Sequence, residues 1–143
     1  MYVEIREVRT IRDLKKFVRY PLTLYKDNPY YVPSLYADEM NTLRVDKNPA
    51  FADAKARYWL AYQNGRIVGR VAAIHVPKHE HKWGDKYLRF GWLDFIDDPE
   101  VVKALISRVE EWAIELGMNG VHGPLGFTDL DREGMLIEGF NDI

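Results

Sequence analysis

The spacing of hydrophobic residues along the chain alternates between two periods, which separates predicted strands from predicted helices. Period-two alternation predicts a strand in YVEIREV at the N-terminus. The segment RYWLAYQNGRIVGRVAAIHVP predicts a hairpin of two strands, because Asn64 and Gly65 supply the positive φ angles of a type I′ turn. The aromatic run YLRFGWLDFID predicts a fourth strand, and GVHG predicts a short fifth one.

Two helices have recognisable ends in the sequence. Thr10 followed by Asp13 resembles a capping box, and Pro21 is expected to limit the helix that begins there. A longer helix is expected to begin with Asp98 as N-cap and Pro99 as its first residue, and Gly117 is its predicted stop. The hydrophobic residues of its predicted core face recur at three-to-four spacing: Val102, Leu105, Val109, Trp112 and Leu116.

The amino-acid composition excludes several classes of function. The 143 residues, 47% of them hydrophobic, fit one globular domain. A formal net charge of −2 predicts no general attraction to nucleic acid or to a membrane, and no local basic face is evident from the order of the residues. The chain contains no cysteine, which excludes thiolate chemistry, and its first residues lack the pattern of a signal peptide. A cytoplasmic location without nucleic-acid or membrane partners is therefore the expectation.

The order of elements predicts a mixed α/β (α+β) fold, a sheet flanked by helices. That order, together with NPYYVPSLYADE, DKNPAF, ARYWLAYQNGRIVGR, FGWLDFIDD and GPLGFTDLDREGMLIEGF, resembles the GNAT superfamily of acyltransferases over the whole chain. The resemblance implies a mainly antiparallel GNAT-like sheet. It also implies that residues 1–143 are one N-terminal GNAT-like domain of a longer bacterial protein, without the C-terminal strands of the fold.

The resemblance further implies that acetyl-CoA lies in the opening between the fourth and fifth strands. Pantetheine would then pair with the backbone near Leu93, Phe95 and Ile96, and the pyrophosphate would lie on an Arg/Gln-x-x-Gly-x-Gly/Ala turn at the start of the next helix. An amine or a peptide is the acceptor that such an enzyme would acylate.

The turn at that position departs from the GNAT pattern. Asp97 stands where the Arg or Gln would be, and Glu100 and Val102 stand where the two glycines would be. Pro99 removes one amide donor, and the acidic side chains already satisfy the helix dipole. This turn is therefore predicted not to bind a pyrophosphate, so acetyl-CoA would lack its standard binding turn.

Two residues are candidates for catalysis. By resemblance a carboxylate at the end of the fourth strand would act as general base, which nominates Asp94 ahead of Asp97. The competing interpretation is a carboxylate paired with an arginine such as Arg89. His122, at the end of the fifth strand, would face either the cleft or the core.

Candidate acceptor-binding residues fall in two segments. By resemblance the tyrosine-rich segment from Tyr20 to Tyr36, with Tyr30 and Tyr31, would cover the acceptor side, with a hydrophobic lid over the sheet as the alternative. The loop GPLGFTDLDREG concentrates polar groups at a helix start, although ordinary capping accounts for part of that pattern. Its candidate residues are Thr128, Asp129 and Arg132.

Three histidines, His75, His79 and His81, lie close in the sequence, but the surrounding lysines and Pro77 favour a solvated loop, and no metal site is predicted. Two function classes remain: an N-acyltransferase that uses acyl-CoA, and a non-catalytic GNAT-derived module that binds a ligand or a protein. If the protein ended at Ile143, the fifth strand would have an unpaired edge, which predicts a homodimer or strand exchange.

Overall fold

A computed structural model describes residues 2–77 and 86–127 of the chain. They form one five-stranded sheet in the order β1-β2-β3-β4-β5. The first four strands are antiparallel neighbours, and β5 runs parallel to β4. The mixed, mainly antiparallel sheet flanked by helices that the sequence predicts is confirmed. The elements are β1 (Glu4–Glu7), α1 (Ile11–Leu24), α2 (Tyr36–Leu43), a 3₁₀ turn (Pro49–Ala52), β2 (Lys55–Gln63), β3 (Arg66–His75), β4 (Tyr87–Phe95), α3 (Pro99–Glu115) and β5 (Gly120–His122).

The hairpin between β2 and β3 forms as predicted. Asn64 and Gly65 have φ angles of 50° and 75°, and Gln63 pairs with Arg66 across the two-residue turn. Both central residues of a type I′ turn need positive φ, which asparagine and glycine tolerate best. The turn therefore fixes the register of β2 and β3 beside it, and a bulge at Val68 then shifts the pairing by one residue.

Helices cover both faces of the sheet. On one face α1 and α2 bury Phe17, Leu43 and Ile74, and on the other α3 buries Val101, Leu105 and Val109 against the sheet. Val101 is fully buried, whereas Val102 is half-buried, so the predicted core face of α3 was wrong at its first position. Spacing alone allows either residue, and the angle at which the helix meets the sheet decides between them.

Helix α1 does not stop at Pro21, contrary to the sequence prediction. Thr10 caps the helix as expected, accepting a hydrogen bond from Asp13 N–H, but the helix continues to Leu24 with Pro21 buried inside it. A proline has no N–H to donate to the carbonyl four residues earlier, here Phe17. The carbonyl of Phe17 accepts a hydrogen bond from Nη1 of the buried Arg70 instead, at 2.8 Å. The guanidinium thus satisfies the carbonyl that the proline leaves without a helical donor.

Strand β4 contains a bulge that breaks its pairing with β3. Arg70 pairs with Asp94 but Ala72 pairs with Gly91, so two residues of β4, Trp92 and Leu93, lie opposite one residue of β3. Trp92 has a φ angle of 48°, which is uncommon for a large side chain. Its indole N–H donates to a carboxylate oxygen of Glu39 in α2 at 2.9 Å, which holds the bulged residue against the helical layer.

Candidate functional site

In the described residues, β5 pairs only with the first part of β4, so on that edge no strand lies beside the part of β4 that follows the bulge. The pairing of β4 with β5 covers Tyr87 to Arg89, and the next contact is Leu125 N–H donating to Phe90 C=O at 2.8 Å. The segment that follows β5 crosses closely over β4, because a Cβ on Gly91 would overlap with the carbonyl oxygen of Leu125. The sheet therefore opens on the C-terminal half of β4.

The three residues expected to pair with pantetheine differ in the direction in which their backbone N–H and C=O groups point. Ile96 N–H donates to Val68 C=O at 3.0 Å, so Gly69 and Phe95 form a non-hydrogen-bonded pair of the antiparallel ladder. The N–H and C=O of Phe95 consequently point away from β3, toward the open edge. The amide of Ile96 is already used, and Leu93 lies in the bulge, which leaves Phe95 as the residue with both groups suitably directed.

A polar cluster lies beside this edge, on the α1 face of the sheet. Asp94 accepts a hydrogen bond from the Tyr25 hydroxyl at 2.6 Å, and its other oxygen contacts Nε and Nη2 of Arg70 at 2.9 and 2.8 Å. The side chains of Arg70 and Asp94 are 8% and 17% exposed. Phe95 packs toward α3, so Asp94 points to the opposite face from its neighbour, as strand alternation predicts.

Pairing of Asp94 with an arginine was one of the two interpretations of the sequence, but Arg89 was the wrong partner. Arg89 donates to the carbonyl of Gly126 at 3.2 Å, on the segment that crosses β4. Arg70 lies directly opposite Asp94 in the β3–β4 register, which places the two side chains on the same face. A charged pair this well buried is stabilised by the hydrogen bonds that complete it.

Two tyrosine hydroxyls near Asp94 remain protonated at neutral pH. Burial, and secondarily the negative charge of Asp94, raises the pKa of Tyr20 to about 12. Burial and the hydrogen bond to Asp94 raise the pKa of Tyr25 well above its usual value. The hydroxyl of Tyr20 is buried and has no hydrogen-bond partner among the described residues, so the cluster holds an unused polar group.

The start of α3 is already capped. Asp98 accepts a hydrogen bond from Glu100 N–H at 3.0 Å through its side chain, and its carbonyl accepts one from Val101 N–H at 3.0 Å. Gln63 Nε2 lies 3.3 Å from the other carboxylate oxygen of Asp98. With Pro99 as the first helical residue, the amides that would bind an anion are absent or occupied. These residues do not fit a pyrophosphate in the usual position.

The two residues nominated for catalysis do not come together. His122 pairs with Arg89 in the β4–β5 register, so it lies about 15 Å along β4 from Asp94. Its ring lies 5.6 Å from that of Tyr87. Partial burial and the charge of Arg89 lower the pKa of His122 below its usual 6.5. His122 is thus exposed at the closed end of the sheet opening, away from the polar cluster.

One of the two candidate tyrosines joins the cluster. Tyr31 stacks on Tyr25 with ring centroids 4.7 Å apart, and Tyr25 in turn reaches Asp94. Tyr30 is 54% exposed and its N–H donates to Asn28 Oδ1 at 2.9 Å. The other candidates for acceptor binding, Thr128, Asp129 and Arg132, lie outside the described residues, as do His79 and His81.

Sequence reasoning missed Arg70, and it included Tyr20 and Tyr25 only as members of the tyrosine-rich segment expected on the acceptor side. Arg70 carries a usable signal, since it is a charged residue inside the apolar run RIVGRVAAIHV and must find a partner when that strand is buried. The contact of the two tyrosines with Asp94 carries no sequence signal, because it depends on how α1 lies across the sheet. In residues 2–77 and 86–127 no group of three or more His, Asp or Glu residues is placed to hold a metal ion. No helix in these two ranges is both long and apolar enough to cross a bilayer.

Two curated proteins are similar to almost the whole chain. Protein YghO of Escherichia coli (strain K12) is 34% identical over 137 residues, 96% of this chain. The bacterial ceramide synthase of Caulobacter vibrioides (strain NA1000 / CB15N) is 30% identical over 135 residues, 94% of this chain. The chain spans 35% of the length of each of these relatives. No protein-family model matches it.

Solved structures share the fold at low sequence identity. An aminoglycoside acetyltransferase from an uncultured soil metagenomic sample superposes with a TM-score of 0.58 at 16% identity, over 85% of this chain and 78% of that one. The ribosomal-protein-alanine N-acetyltransferase of Brucella melitensis biovar Abortus 2308 gives a TM-score of 0.58 at 18% identity, also over 85% and 78%. The chain therefore has the fold of the GNAT acetyltransferases, as its sequence resemblance implies.

Proposed function

We propose that the chain is an N-acyltransferase domain that transfers an acyl group from an acyl-CoA thioester, such as acetyl-CoA, to an amine. The observation that carries this proposal is the open edge of β4, where the backbone of Phe95 faces outward next to the Asp94–Tyr25 pair. An extended thioester arm could pair with that backbone as an added strand does. The polar cluster would then lie one residue away from the arm.

The chemistry needs a base and a bound amine. An acyl-CoA thioester supplies an activated acyl carbon, which the amine attacks as the C–N bond forms and the C–S bond breaks, giving an amide and a free thiol. Asp94 would accept the proton that the amine loses, directly or through the Tyr25 hydroxyl, and release it to the departing sulfur. Arg70 would hold the carboxylate in position as a positioning residue.

The donor would be held by its pantetheine arm rather than by its pyrophosphate. Asp98 and Pro99 leave no free amide for a phosphate at the start of α3, and Asp97 and Glu100 add negative charge there. In a calorimetric titration we expect acetyl-CoA to bind no more than a few fold more tightly than acetyl-pantetheine. A large preference for acetyl-CoA would show that the nucleotide binds in another way and would contradict this assignment.

The acceptor class is suggested by the relatives. The aminoglycoside and ribosomal-protein acetyltransferases of the same fold are named for substrates that carry amines, and the Caulobacter relative is named a ceramide synthase. A ceramide is an amide of a long-chain amino alcohol. Because that relative is also similar in sequence, we infer a long-chain amine as the acceptor of this protein, with the stacked Tyr25 and Tyr31 rings as one wall of its site.

The test replaces Asp94 by asparagine in the natural full-length protein and measures acyl transfer to a long-chain amine. Loss of the base is expected to lower kcat by about a hundredfold or more with little change in KM. Asp97→Asn is the matched control, because Asp97 is an exposed carboxylate three residues away. Equal activity of the two variants would show that Asp94 has only a structural role. Thermal unfolding of both variants separates lost catalysis from lost folding.

A second function is favoured by the capped start of α3. With Asp98 occupying the amides and Asp94 paired to Arg70, the same fold would serve as a binding module without catalysis. The two functions differ in a simple titration. Binding of neither acetyl-CoA nor acetyl-pantetheine by the full-length protein would favour the binding module and overturn the acyltransferase proposal.

A further inference from the structure

Exposed hydrophobic side chains concentrate on one stretch of the surface. The end of α1 and the loop that joins it to α2 expose Leu22 (50%), Tyr30 (54%), Val32 (75%) and Leu35 (72%). Single exposed apolar residues are common on any protein, but these four fall within residues 22–35. Their grouping in one segment favours contact of that segment with another molecule.

Basic side chains surround that stretch. Residues 11–35 include two acidic residues, Asp13 and Asp27, and five exposed basic ones: Arg12, Lys15, Lys16, Arg19 and Lys26. This local excess of positive charge occurs in a chain whose formal net charge is −2. Helical spacing places the four basic residues of α1 on its outer face, opposite the buried Leu14 and Phe17. Core residues separate these basic residues in the linear order, so the sequence alone does not predict such a face.

The basic face and the apolar loop are continuous. The guanidinium of Arg19 lies 4.8 Å from the ring centroid of Tyr36, the residue that follows Leu35. Leu22 extends the same helix by one further turn toward the loop. We call this combined surface the α1–loop face; its members are Arg12, Lys15, Lys16, Arg19, Leu22, Lys26, Tyr30, Val32 and Leu35.

We propose that the α1–loop face docks on an anionic lipid bilayer. Exposed leucine, valine and tyrosine side chains enter the boundary between headgroups and acyl chains, while nearby lysines and arginines are attracted to anionic headgroups. This combination fits a membrane surface better than a protein partner, since lysines, three of the five basic residues of this face, are depleted from protein interfaces but typical of interfacial helices next to exposed aliphatic side chains. The attachment proposed for this face is peripheral.

The docked surface adjoins the polar cluster. Tyr25 lies in the same loop and donates to Asp94, and Tyr31 stacks on Tyr25. A long-chain amine could therefore reach Asp94 from the bilayer with its chain still among the lipids. This last step rests on the proposed acyltransfer, whereas docking itself does not, because vesicle binding is measured without any acyl donor or acceptor.

The experiment is vesicle flotation of the natural full-length protein. Vesicles of phosphatidylcholine alone are compared with vesicles that also contain phosphatidylglycerol, and binding is expected only to the second kind. The Lys15→Gln and Lys16→Gln changes together should weaken binding by more than tenfold at low salt, since each cation near an anionic surface contributes about fivefold. Val32→Ser with Leu35→Ser should also abolish flotation, because these residues supply the inserted apolar area.

Matched controls lie on the opposite layer of the fold. Ile114 is 77% exposed and Lys103 is exposed, both on α3, so Ile114→Ser and Lys103→Gln make the same chemical changes away from the α1–loop face. They should leave flotation unchanged. Three results would overturn the proposal: no binding to anionic vesicles, binding that survives the Val32 and Leu35 changes, or a vesicle-free dimer that those changes dissociate. The last result would assign the face to a second copy of the chain.

Discussion

Arg70 is the residue on which the polar cluster depends. It is 7% exposed, and its guanidinium contacts Asp94, the carbonyl of Phe17 and the face of the Phe17 ring at 5.1 Å. These contacts join β3, β4 and α1 at one point. The guanidinium also completes the hydrogen bonding of a helix that contains an internal proline, so one buried charge serves both the site and the fold.

Replacing Arg70 by methionine is expected to lower the free energy of unfolding by about 3–5 kcal/mol, because Asp94 would remain buried without its cation. Arg66→Met on the same strand is the control, since Arg66 is exposed. The double change Arg70→Met with Asp94→Leu should recover part of the loss, because no unpaired charge remains. Chemical denaturation measures all three variants. An Arg70→Met protein as stable as the parent would contradict the role given to this pair.

At the scale of single elements, the ends of helices follow local chemistry and were predictable. Thr10 and Asp98 cap α1 and α3 as expected, and Gly117 follows α3 with a φ of 71°. Pro21 was predicted to limit α1 because its local effect is unfavourable, but the structure supplies a donor from β3. Such compensation comes from residues far apart in sequence, and a local pattern does not contain it.

A pH-sensitive salt bridge joins β1 to β2. Glu7 accepts hydrogen bonds from Nη2 and Nε of Arg57 at 2.5 and 3.2 Å, and this interaction lowers the pKa of Glu7 against the opposing effect of burial. A carboxyl whose pKa is depressed on folding adds stability above its unfolded pKa and loses it as pH falls through the folded value.

Glu7→Gln is therefore expected to cost about 1 kcal/mol of unfolding free energy at neutral pH, after allowance for the partly exposed Arg57. The difference from the parent should shrink as pH falls from the unfolded pKa of about 4.3 through the depressed folded pKa of Glu7, because only below that folded value is the glutamate protonated in both states. Denaturant titrations over a pH series measure it. Glu4→Gln, in the exposed pair with Arg6, should show no resolvable difference. A Glu7 effect that is constant down to low pH would mean that packing, and not charge, is responsible.

At the scale of the whole molecule, the fold was predictable and the site only in part. The order of elements follows from hydrophobic periods and turn residues that lie close together in the chain, and the GNAT fold was indicated by the resemblance of that order and of several sequence segments to the GNAT superfamily. Asp94 and Phe95 were nominated through the resemblance, which implies a general base near the end of the fourth strand and pantetheine along its backbone. The partners of Asp94 could not be predicted from the sequence, because Tyr25 is 69 residues away and Arg70 is 24 residues away. Only the packing of α1 across the sheet brings Tyr25 to Asp94.

The opening of the sheet depends on the close crossing of residues 123–127 over β4. Gly91→Ala would place a methyl group on the carbonyl oxygen of Leu125, which is backbone and cannot move alone. We expect a loss of about 1–3 kcal/mol in the free energy of unfolding, with displacement of Leu125 and of the buried Phe127 beyond it.

Gly69→Ala is the matched comparison on the neighbouring strand. A methyl group there would meet side-chain atoms of Leu105 and Val101 at 2.8 and 2.9 Å, and the Leu105 side chain can rotate away. Its cost should therefore be the smaller of the two. Chemical denaturation ranks the variants, and hydrogen exchange of the Leu125 amide, which donates to Phe90, reports whether the crossing has loosened. Unchanged protection of that amide in a destabilised Gly91→Ala protein would show that β4, and not the crossing segment, had been displaced.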